Sequence, residues 1–115
     1  MPHAPIALVV ESDPAELRRM TQSLRALGWE AIGAEDAPEA CALLCTFHPA
    51  LLIAQVDAPG VAELAQHARE AGSFARLIAV SERDVPPEEV PLWDAEARKP
   101  LDVGELLWAL KGSVL

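Results

Sequence analysis

At 115 residues the chain has room for one domain, spanning 1–115. Its 51% apolar and 23% charged residues are those of a globular protein that can bury a core without staples. Two cysteines exclude a disulfide scaffold, and no apolar run approaches the roughly 18 residues of a membrane span. The net charge of −9, with Lys99 and Lys111 the only lysines, argues against nucleic acid or an anionic membrane as a partner of this domain; a basic protein suits it better.

The opening stretch, MPHAPIALVVESDP, has no basic n-region and reaches Glu11 too soon for a secretory signal, so a cytoplasmic setting is expected. Pro5 to Val10 is a short apolar run rich in β-branched residues, which reads as a strand covered on both faces. Asp13 suits a helix N-cap, Pro14 the first helical position and Glu16 the third. Leu17, Met20, Thr21, Leu24 and Leu27 then recur at helical spacing, and Gly28 stops the helix.

The pattern repeats. Glu30 to Ala34 is a weak strand. Asp36 caps a second helix with Ala40, Leu43, Leu44 and Phe47 inward, ended by Pro49. Ala50 to Val56 is a buried strand and Asp57 to Gly60 a loop. Val61 to Ala71 is a helix closed by Gly72, and Arg76 to Val80 a further strand. Between Ser81 and Pro91 the prolines at 86, 87 and 91 leave room for one helical turn after Pro87. Asp94 to Arg98 is a poor last strand. Asp102 and Glu105 open a final helix with Val103, Leu106, Leu107 and Leu110 inward. Alternating strands and helices imply a parallel sheet covered on both faces. In such sheets the functional crevice lies at the carboxyl ends of the strands. Glu11, Ser12, Asp57, Ser81 and Lys99 all fall at that end.

These residues resemble a known family. LVVESDP (8–14), HPALLIAQVDAPG (48–60), Ser81 after RLIAV and Lys99-Pro100 stand in the order and spacing of the response regulator receiver domains, the CheY-like phosphoacceptors of two-component signalling. The likeness runs from about Pro5 to Leu110. It implies a flavodoxin-like (βα)₅ three-layer sandwich with sheet order 2-1-3-4-5 and a fourth helix that is shortened or broken. It also implies the chemistry: a carboxylate ending the third strand attacks a phosphoryl group, aided by Mg²⁺ on first-turn acids, a lysine and a hydroxyl.

Counting back from Pro59 and Gly60, the phosphoacceptor position is Gln55, whose carboxamide is neutral and cannot form an acyl phosphate. The two first-turn acids become Glu11 and Ser12, and the aromatic switch position becomes Glu96. Ser81 and Lys99 survive in type. The resemblance is therefore to a degenerate receiver, non-enzymatic, without a cofactor, and binding Mg²⁺ at millimolar concentration or not at all. Lys99 is expected to pair with Glu11 or Asp57, with a hydrogen bond to Gln55, standing in for the missing cation.

The function this implies is phosphorylation-independent signalling through a protein partner. The expected surface is the acidic face of residues 82–110, with Trp93, Glu96 and Trp108 as contacts and homodimerisation as a second use of it. Two alternatives are a phosphorylatable receiver using Asp57 with Mg²⁺, and the N-terminal receiver of a longer transcriptional regulator. The plainer reading of Asp57 is a loop acid, and of the acids between Glu82 and Glu96 a solvated face.

Cys41, Cys45 and His48 fall at i, i+4 and i+7, a spacing that can ligate zinc. His67 and His3 belong to other segments and no fourth ligand is apparent. Small cysteines beside the core are the simpler reading, and no metal site is expected.

Overall fold

The computed structural model describes residues 4–70, 76–82, 84–99, 102, 104 and 106. Five strands form one parallel sheet in the order β2-β1-β3-β4-β5. They are β1 (Ile6–Val10), β2 (Glu30–Ala34), β3 (Leu51–Gln55), β4 (Arg76–Ser81) and β5 (Ala95–Arg98). Three helices connect the first four: α1 (Pro14–Ala26), α2 (Ala37–Phe47) and α3 (Val61–Glu70). The parallel sheet agrees with the alternation of elements, and its order is the flavodoxin-like one that the family resemblance implies.

Successive strand side chains point to opposite faces, so each inner strand supplies two cores. Leu8, Val10, Leu52, Ala54, Leu77 and Ala79 face α2 and α3, meeting Ala40, Leu44, Val61, Leu64 and Ala65. Ala7, Val9, Leu51, Ile53, Ile78 and Val80 face the other way, meeting Met20 and Leu24 of α1 and Leu106. Continuous apolar strands are the consequence of this double burial.

Caps set the helix ends. The Asp13 carboxylate accepts from the Ala15 amide at 3.0 Å, and that of Asp36 from the Glu39 amide at 2.9 Å. At the end of α1 the Trp29 amide returns to Leu24 O and the Gly28 amide to Arg25 O, with Gly28 at φ 94°. That paired closure requires a left-handed residue, which glycine provides without a Cβ penalty.

The structure corrects several inward assignments. Leu27 is 53% exposed and Phe47 43%, because each sits where its helix ends and the chain turns away from the sheet. Among the described residues between β4 and β5, a 3₁₀ turn at Val90–Leu92 stands in place of a fourth helix. The end of α3 holds this segment: Arg69 donates to Leu92 O and pairs with Asp94 at 3.0 Å. The poor strand β5 is fixed at its start by Asp94, whose amide donates to Leu77 O and whose carboxylate accepts from the Leu77 amide, both at 2.7 Å.

Trp93 is another correction. It is 7% exposed and packed in the core beneath α2 and α3, not presented to a partner. The chain must drop inward there to enter β5, and the indole fills the space a fourth helix would otherwise cover. Gly104 and Leu106 are helical, as expected of the last segment, and the Leu106 amide donates to Asp102 O. Val103, Glu105, Leu107, Trp108 and Leu110 lie outside the described residues.

Candidate functional site

The carboxyl ends of β1, β3 and β4 and the residue after β5 converge on one cluster. β1 runs straight into Glu11, whose amide donates to Ala34 O of β2 at 3.0 Å and so carries the pairing one residue past the strand. Glu11 is 1% exposed. Its Oε1 accepts from Lys99 Nζ at 2.6 Å, and its Oε2 lies 3.3 Å from the Asp13 amide. Lys99 is held in turn by its backbone, whose amide donates to the carbonyl of buried Ser81 at 3.1 Å.

Gln55 ends β3 beside this pair. Its Oε1 accepts from both the amide and the hydroxyl of Ser12, at 3.2 and 2.9 Å. The first turn is thus tied to the third strand by neutral hydrogen bonds and to the fifth by one ion pair. Of the two partners foreseen for Lys99, the structure selects Glu11. The Lys99 ammonium donates to Glu11, and the Gln55 carbonyl oxygen is taken by Ser12.

Asp57 is exposed on the loop after β3, two residues beyond Gln55. It belongs electrostatically with Glu63, Glu88 and Glu89. Burial, with the charges of Glu88, Glu63 and Asp57, pushes the Glu89 carboxyl above its ordinary value. Glu96 is exposed on the edge strand β5.

Outside the buried pair, a shallow depression of about 360 Å³ is lined by Asp13, Glu16, Glu82 and Lys99. The hydrogen bond from Arg19 holds the Glu16 carboxyl below the usual range, with burial opposing and Lys99 adding a smaller pull. Three carboxylates around one lysine give the depression a net negative charge.

An octahedral Mg²⁺ needs several oxygens free to face it. Here Glu11, the one buried carboxylate among the described residues, already faces an ammonium, the Gln55 oxygen already accepts two hydrogen bonds, and an Asp13 oxygen caps α1. This donor set does not fit the ion.

No protein-family model and no curated protein matches the sequence. Solved structures do. A CheY-like receiver domain from Methylobacillus flagellatus superposes with a TM-score of 0.85 at 23% identity, covering 95% of this chain and 98% of that one. A CheY-like receiver domain protein from Methanospirillum hungatei JF-1 gives 0.84 at 24%, covering 96% and 93%. The signal receiver domain of the putative response regulator NarL from Mycobacterium tuberculosis gives 0.80 at 19%, covering 97% of each.

The chain has the receiver-domain fold. Within that fold Gln55 closes the third strand, Glu11 and Ser12 form the first turn, Ser81 ends the fourth strand and Lys99 follows the fifth. The structure pairs Lys99 with Glu11 and Ser12 with Gln55, and leaves Asp57 exposed on the loop after β3. Among the described residues no helix is long and apolar enough to cross a membrane. Sequence reasoning missed Arg69 and Asp94, which secure the segment before β5; both look like ordinary surface charges until the fold brings 69 and 94 together.

Proposed function

We propose that this receiver fold serves two-component-type signalling without phosphorylation, by binding a protein partner. The single observation that carries the reading is the state of the crevice. A neutral carboxamide stands at the end of β3, and its oxygen, the buried Glu11 carboxylate and the Lys99 ammonium satisfy one another or Ser12. A phosphorylatable crevice needs a carboxylate nucleophile and unengaged oxygens for a metal. Here the ion pair and the carboxamide hold the first turn to β3 and β5 as a fixed network.

The acidic stretch supports a basic partner. Glu82, Glu88 and Glu96 are exposed along the segment before β5 and on β5 itself, while Asp84 pairs with Arg98 and Asp94 with Arg69. Of the contacts read from the sequence, Glu96 is exposed, Trp93 is buried, and Trp108 lies outside the described residues.

The test is intact mass after incubation with acetyl phosphate and Mg²⁺, beside a receiver domain that labels under the same conditions. No adduct is expected. A labile phosphate adduct that disappears in Asp57→Asn would overturn the reading in favour of a displaced phosphoacceptor.

A further inference from the structure

The strongest unassigned feature lies on the opposite face of the sheet from α1. Cys41 and Cys45 stand one turn apart on α2, and His67 stands on α3. One ligand atom from each, two sulfurs and an imidazole nitrogen, all lie within 4.8 Å of one another. The helical stripe read from sequence pointed to His48 as the third member. His48 instead takes the left-handed C-cap of α2, at φ 48°, which ends the stripe. The histidine that joins the cysteines comes from 22 residues beyond Cys45, across a helix–helix contact.

We infer that Cys41, Cys45 and His67 bind Zn²⁺ through two thiolates and one imidazole nitrogen, with water completing the tetrahedron. The donor set is the soft-to-borderline combination zinc favours, and one from which Mg²⁺ and Ca²⁺ gain little. With Zn–S near 2.3 Å and Zn–N near 2.0–2.1 Å, tetrahedral donors stand about 3.5–3.8 Å apart. The three atoms need close by only about 1 Å, a matter of side-chain rotation. Rotation is open to them: Cys41 is half-buried, Cys45 and His67 are exposed, and among the described residues no hydrogen bond or ion pair ties the three side chains down.

The backbone is already set. α2 and α3 pack together over Ala40, Leu44, Leu64 and Ala65, so the ion joins two elements that need not move. A groove of about 350 Å³ beside the cluster is lined by Cys41, Glu63 and His67 among others. It gives water access to the fourth position, and the Glu63 carboxylate, one turn from His67, adds negative potential for a cation. The cysteines bind as thiolates and the histidine as the neutral imidazole, so the thiol protons are released on binding, which strengthens as pH rises.

The test uses the whole reduced chain, purified metal-free and titrated first with Co²⁺ and then with Zn²⁺ in competition with a chromophoric chelator. The expected result is one ion per chain, with thiolate-to-cobalt charge-transfer absorption and the visible bands of a tetrahedral site. Zinc should raise the thermal midpoint of the wild-type chain. Cys41→Ser, Cys45→Ser and His67→Gln should each weaken zinc at least about tenfold, and His48→Gln should leave it unchanged. Cys45 and His67 are exposed, so their variants keep the fold, and circular dichroism checks this. Equal binding by wild type and His67→Gln overturns the assignment, as does loss of zinc in His48→Gln or the absence of thiolate charge transfer.

Discussion

The Glu11–Lys99 pair offers the sharpest test of the crevice. Lys99→Met keeps the length of the side chain and removes the charge. Glu11 is then a carboxylate at 2% side-chain exposure, with the Asp13 amide at 3.3 Å as its remaining partner. Removing one member of a buried pair costs about 3–5 kcal/mol. Lys99 keeps 17% of its side chain exposed, so water reaches the ammonium's side of the pair and the lower end applies, about 3 kcal/mol. Against a total stability of about 5–15 kcal/mol this is a large fraction. Urea unfolding followed by tryptophan emission reads it directly. With a slope near 1.5 kcal/mol/M the midpoint should fall by about 2 M. Glu11→Gln should cost less, because the freed lysine can swing to solvent whereas a freed Glu11 cannot. The double variant should be more stable than the sum of the single losses by about 2 kcal/mol. A Lys99→Met loss below about 1 kcal/mol, the range of exposed pairs, would refute the view that this ion pair is a buried structural element.

Three further outcomes are expected. A chain with Trp29→Phe and Trp108→Phe leaves Trp93 as the reporter; its emission should be blue-shifted and resist acrylamide quenching, and a water-like emission contradicts the burial seen here. Gly60→Ala should cost about 1–3 kcal/mol in thermal or urea unfolding, since φ is 81° and the new Cβ meets the Ala37 Cβ at 3.1 Å; an unchanged midpoint refutes this. Because the Glu89 carboxyl is raised in the folded state, its protonated form favours folding at low pH, and that contribution is lost as pH rises through the folded value. Glu89→Gln should therefore exceed wild type at neutral pH by less than about 0.5 kcal/mol, with the gain vanishing in acid; a gain that persists in acid points to another cause.

The frame of the fold is legible in local patterns of residues. The runs IALVV, LLIAQ and RLIAV are apolar at every inner position because a parallel strand under two helical layers has no solvent face. Asp13, Asp36 and Gly28 mark helix ends through hydrogen bonds made within a few residues, which is why they are legible without a structure. Counting back from Pro59 and Gly60 on the family resemblance picks out Gln55, and the structure ends β3 there rather than at Val56.

The remaining choices rest on contacts between residues distant in sequence and emerge only when the chain is folded. Lys99 had two carboxylates in prospect, and the convergence of β1 with β5 across 88 residues chose Glu11. Trp93 reads as a surface anchor in a proline-broken stretch, yet the space left without a fourth helix is apolar and takes the indole inside. Strand β5 has little strand propensity of its own; β4 supplies the template and the Asp94–Leu77 hydrogen bonds set where pairing begins. The partner of the two cysteines was likewise invisible in the spacing. A helical stripe ends where its helix ends, and the imidazole that reaches Cys41 and Cys45 is delivered by the packing of α3 against α2.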